Sequence, residues 1–179
     1  MEGPLVQKIS AEAYVAPGAS VVGDVRMAAE ASVFACAAVR GEAAAVSIGP
    51  QANVQDNCVV EATHGHPVSI AAGVSLGHNA RVYGAIIDDH ALIAIGATVL
   101  PGAHVGTYSI VAANATVPEG MQVPPRSLVI GPGRIQRAVT DAEIARIDHG
   151  ATEYARLSRE YRLGARPRSS AGSPLAPLE

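Results

Sequence analysis

Tryptophan is absent, phenylalanine occurs once, and aromatic residues make up only 3% of the 179 residues. Yet 49% of the chain is hydrophobic, so any core must be built mainly from alanine, valine and isoleucine. Small and β-branched side chains fill space well when they stack repeatedly in a regular array. An ordinary α/β domain would use more phenylalanine and tryptophan. Charge is also scarce: 16% of residues are charged and the net charge is −3. No basic tract is present, which argues against a phosphate-tracking surface and so against a nucleic-acid partner. Gly, Asp and His break the longest apolar stretches, so neither a transmembrane helix nor a membrane partner is expected. The opening MEGPLVQKIS lacks the long apolar segment of a secretory signal. Two cysteines, Cys36 and Cys58, cannot make a disulfide scaffold and are expected to be small buried hydrophobes. These features lead to the expectation of a soluble, cytoplasmic protein of one domain.

What is present is a repeat. From Val15 an aliphatic residue returns every six positions, at Val21, Met27, Val33 and Val39. The step lengthens to reach Ile48, resumes with Val54 and Val60, then lengthens again to Ile70, Leu76 and Val82. One step of five reaches Ile87, and the six-residue beat then runs through Ile93, Val99, Val105, Val111, Val117 and Val123. A period of six fits neither a helix at ~3.6 residues per turn nor a simple hairpin meander. It fits an all-β solenoid, a parallel β-helix with three short strands per triangular coil and one aliphatic side chain per strand pointing inward. The ladder predicts about six coils. Small residues at the corners, as in Pro17-Gly18-Ala19-Ser20, suit tight bends that sometimes need φ > 0.

After residue 139 the period becomes helical. Thr140-Asp141-Ala142-Glu143 reads as a capping box, and Ile144, Ile147, Tyr154, Leu157 and Tyr161 form an apolar stripe. The plain reading is packing against the solenoid, with His149 and Gly150 marking a kink. The predicted organisation is a β-helix over 1–139, a packing helix over 140–163 and a disordered tail over 164–179.

The triangular frame also places outward side chains. With the faces lettered A, B and C along the ladder, Val39, Val60 and Val82 share face A. The residue after each points outward, so Arg40, Glu61 and Tyr83 form a vertical stack at the strand spacing of ~4.8 Å. Asp56 and His78 stack at a corner. The second insertion carries His64 and His66 directly after Glu61. A solenoid's outward positions are polar in any case, so a plain solvated surface is the competing reading.

These segments resemble a known family. Val39-Arg40-Gly41-Glu42, Asn53-Val54-Gln55-Asp56, Leu76-Gly77-His78, Val82-Tyr83-Gly84 and Pro124-Pro125-Arg126-Ser127-Leu128-Val129 are similar to motifs of the gamma-class carbonic anhydrases, and the likeness spans roughly residues 9–163. The resemblance implies a left-handed coil with a C-terminal α-helix, and a homotrimer. It implies a zinc, iron or cobalt ion held between subunits by three histidines, two from one subunit and one from its neighbour. The ligand positions align with Glu61, His78 and Tyr83, so two of the three histidines are replaced. The resemblance also implies that Gln55 lies near the metal-bound water, and that Arg40 pairs with an acidic residue such as Asp56 across the interface.

A catalytic zinc normally has three protein ligands and an open fourth position for water. An anionic Glu61 ligand would raise the pKa of that water, and a phenol is a poor zinc ligand near neutral pH. Efficient CO₂ hydration is therefore not expected. Several readings follow. One is a metal-free enzyme of lyase, hydratase or hydrolase type, or a binder, with a small-molecule ligand at the subunit interface. There Glu61 acts as acid or base, Tyr83 as a hydrogen-bond donor and Arg40 as an anion-orienting group, with His78 completing the cleft alongside Gln55. A second is a remodelled metal site using Glu61, His78 and either His64 or His66, serving a carbonic anhydrase-type lyase. A third is a non-catalytic trimeric scaffold. Acyl transfer with His78 or His104 as base is a fourth, with His104 expected at an outward corner.

Overall fold

The computed structural model describes residues 7–164. The predicted frame is present: a left-handed parallel β-helix of about 7 turns, with one C-terminal α-helix. The ladder has one more rung at each end than the beat suggested. Ile9 pairs beside Met27 at the open end, and Val129 pairs beside Val111 at the other. The additional rungs take the solenoid from six coils to nearly seven. Both lie where flanking residues blur the period.

The three faces are continuous parallel ladders. Face A carries Val21, Val39, Val60, Val82, Val99 and Val117 in register. Face B carries Met27, Ile48, Ile70, Ile87, Val105 and Val123. Face C carries Val15, Val33, Val54, Leu76, Ile93, Val111 and Val129. Almost every rung is fully buried. A second inward column lies two residues before the face A rungs: Ala37, Cys58, Ala80, Ala97 and Ala115, all at 1% exposure or less. This column explains much of the alanine content, since the triangular interior leaves room for only one large side chain per strand.

The insertions differ in kind. The first is a single long strand, Ala38–Ile48, which turns the corner from face A to face B without breaking. It runs beside Ser20–Met27, and the two strands approach so closely at Gly23 and Gly41 that a Cβ on either would overlap the other strand's backbone. The second is a short loop closed by paired backbone hydrogen bonds between Thr63 and His66. Corner residues take positive φ at non-glycine positions as well, including Cys36, Asn57, Asn79 and His90, at 56–60°. Cys58 is buried as expected, but Cys36 is exposed, because its corner position turns its side chain out of the core.

The helix spans Asp141–Arg162 and opens with the predicted capping box between Thr140 and Glu143. It runs unbroken through His149 and Gly150, so the expected kink is absent. A helical glycine costs about 1 kcal/mol without forcing a bend. The buried line is Ile147, Ala151, Ala155 and Ser158, whereas the larger Ile144, Tyr154, Leu157 and Tyr161 are only half-buried along the flank. Small residues let the helix lie close on face C, where it packs against strands Tyr14–Val15, Ser32–Val33, Asn53–Val54 and Ser75–Leu76. Polar contacts along the B–C corner also hold it: Arg126 Nη2 donates to Asp141 Oδ1 at 2.6 Å, and Arg159 pairs with Glu30. Between them, His90 Nδ1 lies 2.9 Å from Asp148 Oδ1 without the alignment of a hydrogen bond. An antiparallel strand, Arg134–Ala138, precedes the helix and pairs with Ser127–Ile130. The expected disordered tail, from residue 165 onward, lies outside the described residues.

Candidate functional site

Face A presents the predicted column. Strands Val59–Glu61 and Arg81–Tyr83 each end on an outward residue, and the register pairs Arg40 with Glu61 and Glu61 with Tyr83. Such neighbours lie ~5 Å apart along the sheet. Glu61 and Tyr83 are half-buried and Arg40 is exposed. Among the described residues, none of these three side chains makes a hydrogen bond or ion pair within the chain. A carboxylate, a phenol and a guanidinium thus stand in a line on a face that the helix leaves uncovered.

The neighbouring corner, between faces C and A, holds Asp56 and His78. Each is followed by an asparagine with φ of 60°, which turns the chain and leaves the preceding side chain outside. His78 Nδ1 lies 3.2 Å from Asp56 Oδ2. On its other side, Nε2 lies 3.4 Å from the Tyr154 hydroxyl. The Tyr154 hydroxyl can donate to an unprotonated Nε2, whereas Nδ1 and the Asp56 carboxylate stand at ion-pair distance without the alignment of a hydrogen bond. Burial, and then the charge of Asp56, push the Tyr154 phenol above its ordinary value, which keeps it a proton donor at neutral pH. Asp56 engages His78 rather than Arg40 within the chain. Tyr154 is the residue that sequence reasoning missed as part of this site. Its helical spacing reads as packing, and no sequence signal sets it against a residue 76 positions away.

Gln55 lies on face C beneath the helix, 7% exposed. Its Nε2 donates to Asn53 Oδ1 at 3.0 Å, and Asn53 Nδ2 donates to Ser75 Oγ at 2.8 Å. With Leu92, Ile110, Ile147 and Tyr154 it lines a cavity of about 360 Å³ between helix and sheet. Gln55 is therefore separated by a corner from the Glu61–Tyr83 column of its own chain.

His64 and His66 lie at the opposite edge of face A, on the corner toward face B. Gly65 makes the tight turn between them with φ of +78°, and His66 packs so closely on Gly84 that a Cβ there would fall 2.6 Å from its own. A single chain does not bring them to His78. His104 is on a face B strand rather than a corner, with Nε2 2.8 Å from Asp88 Oδ2.

Among the described residues no group of three or more His, Cys, Asp or Glu is arranged to hold a metal. Glu61, His78 and Tyr83, the positions that the resemblance aligns with metal ligands, contain one imidazole, whose Nε2 lies against the Tyr154 hydroxyl. That set does not fit a three-histidine zinc centre.

The sequence is 45% identical over 151 residues to a Methanocaldococcus jannaschii protein named probable carbonic anhydrase, covering 84% of this chain and 95% of that one. It is 36% identical over 167 residues to gamma carbonic anhydrase 1 of Arabidopsis thaliana, covering 89% of this chain and 60% of the plant protein. The chain belongs to the gamma-class carbonic anhydrase family. A Geobacillus kaustophilus carbonic anhydrase is 36% identical over 164 residues. Among solved structures, a Bacillus cereus chain superposes with a TM-score of 0.88 at 27% identity, covering 89% of this chain and 94% of that one. A hexapeptide transferase family protein from Anaplasma phagocytophilum gives 0.83 at 28% identity, covering 87% and 92%. No protein-family model matches the sequence. Among the described residues no helix is long and apolar enough to cross a membrane.

Proposed function

We propose that this gamma carbonic anhydrase family member is a homotrimer whose inherited metal position has become an acid–base cleft for a small molecule. In this reading His78 of one subunit faces the Glu61–Tyr83 column of its neighbour. Glu61 takes or gives a proton, Tyr83 donates a hydrogen bond, Arg40 orients an anionic group, and His78 completes the cleft. The reaction type is that of a lyase, hydratase or hydrolase. Efficient CO₂ hydration is not part of this reading, because one imidazole, one carboxylate and one phenol do not reproduce the neutral three-histidine set that acidifies a zinc-bound water.

The observation that carries the proposal is the in-register Glu61–Tyr83 pair, free of intrachain partners among the described residues, one corner from a histidine with a carboxylate beside Nδ1 and a phenol beside Nε2. An imidazole set between a carboxylate and a phenol is suited to transferring protons. The test is metal content per subunit on untagged protein purified without chelator, beside His78→Ala, followed by small-molecule screening of wild type and Glu61→Gln. Little bound metal, with a ligand whose binding or turnover Glu61→Gln removes, supports the cleft. Near-stoichiometric zinc, iron or cobalt that disappears in His78→Ala overturns it in favour of a remodelled metal centre. A trimer that carries neither metal nor ligand is a scaffold.

A further inference from the structure

The six aromatic residues of the chain are not spread evenly. Five tyrosines and one phenylalanine are all it has. Four of these, Tyr14, Phe34, Tyr154 and Tyr161, surround one cavity of about 410 Å³ at the corner between faces C and A, which Asp56 and His78 also line. That volume is well above the ~150 Å³ that admits a benzene molecule in a protein interior. Phe34 is the hub: its ring centroid lies 5.8 Å from Tyr14, 5.3 Å from Tyr154 and 6.4 Å from Tyr161. Tyr14 and Tyr161 close the ring at 5.7 Å. The interplanar angles of 59–77° are those of adjoining walls rather than of a stack.

The only carboxylate among the lining residues is Asp56. Its field reaches the walls. Burial first, then Tyr161 and Asp56, raise the Tyr14 phenol, while burial and Asp56 raise Tyr154. Both phenols therefore stay neutral, and Asp56 supplies the cavity's fixed negative charge. Rings set at steep angles around a carboxylate attract a cation on two counts: the ring quadrupoles present negative faces, and the carboxylate adds direct attraction. A bulky alkylammonium is weakly hydrated and loses little on leaving water. A bare metal ion finds only one carboxylate there and no further anionic donor.

We propose that this cavity binds a small organic ammonium ion, with the Phe34 and tyrosine rings against its alkyl groups and Asp56 as counter-ion. Within its own chain Arg40 stands on face A and does not line the cavity; in the proposed trimer a neighbour's Arg40 competes with the ammonium ion for Asp56. The site borders the cleft of the preceding section through His78, but its recognition of a cation does not require that cleft to be catalytic. The inference therefore goes beyond that reading.

The test is titration calorimetry on the full chain in amine-free buffer, with choline and its uncharged isostere 3,3-dimethyl-1-butanol as probes. Choline is expected to bind saturably and at least about tenfold more tightly than the isostere, a difference of ~1.4 kcal/mol. Asp56→Asn, at a half-buried corner, should weaken choline about tenfold and leave the isostere unchanged. Tyr161→Phe, which keeps the ring, should bind choline as the wild type does. Equal affinity for the two probes, no saturation at millimolar choline, or an Asp56→Asn variant that binds choline normally would each overturn the proposal. Glu61→Gln separates it from the cleft reading. Choline affinity that survives in this variant keeps the cation at Asp56 whether or not the cleft is catalytic, and affinity lost there moves the cation to face A and refutes the placement.

Discussion

The Tyr154 hydroxyl sits 3.4 Å from Nε2 of His78, the histidine of the proposed cleft. Helix α1, Asp141–Arg162, thus covers that nitrogen with a phenol, while Asp56 Oδ2 lies 3.2 Å from the other. Tyr154→Phe should remove that cover and keep the ring. The expected cost is ~0.5–1.5 kcal/mol in urea unfolding, the net value of one hydrogen bond. The sharper readout is the His78 ring by nitrogen NMR. The wild type should show an Nε2 that accepts a hydrogen bond, and the variant should lose the signature of acceptance at Nε2. An unchanged Nε2 signal would show that the contact is not formed in solution.

The proposed loss of metal chemistry can be tested at two side chains. Glu61 and Tyr83 are cross-strand neighbours on face A, so a double variant Glu61→His, Tyr83→His places two imidazoles side by side at strand spacing. In the proposed trimer, His78 of a neighbouring subunit would complete a three-nitrogen set that leaves a fourth position for water. Zinc per subunit by elemental analysis should rise from near zero toward one in the double variant. If the wild type already carries one zinc, the replaced positions are ligands in their own right.

Gly23 carries a different expectation. Its φ is +86°, and an added Cβ would overlap the Gly41 carbonyl of the adjacent strand. Both the backbone conformation and the close approach exclude a side chain. Gly23→Ala should cost about 3 kcal/mol or more, read as a fall in the urea midpoint, whereas Gly18→Ala, where a Cβ meets nothing within 4 Å, should cost only the strain of its positive φ.

The helix start predicts a pH dependence. The Glu143 carboxyl is held well below the usual carboxylate range, first by Arg137, which donates two hydrogen bonds, and then by the Thr140 backbone and hydroxyl. A folded-state pKa below the unfolded value contributes stability that is fully present above the unfolded value, ~4.3 for Glu, and is lost as pH falls through the folded value. Helix docking should therefore weaken progressively below about pH 4.3, and Glu143→Gln should flatten that dependence in denaturant titrations at pH 3 to 6. A slope unchanged by Glu143→Gln would show that other groups set it.

The ladder from Val15 to Val123, the three faces, the capped helix and the vertical Arg40–Glu61–Tyr83 stack could all be read from the chain alone. They depend on periods of six and 3.6, and a period is a local property that survives without knowledge of distant partners. The end rungs Ile9 and Val129 were harder to see because a repeat loses its flanking beats at its ends. Cys36 shows another limit: one residue decides whether a small apolar side chain falls inside a triangular coil or on its corner. What only the tertiary structure decided is where the helix lies. Its placement on face C hides Gln55, sets Tyr154 against His78 and gathers Tyr154 and Tyr161 with Tyr14 and Phe34 around Asp56. Those contacts join the helix to strand and corner residues 76 or more positions away, and nothing in their local sequence encodes the meeting. It follows from small side chains at Ala151, Ala155 and Ser158 that allow close approach, and from polar partners along one corner that fix the helix in position.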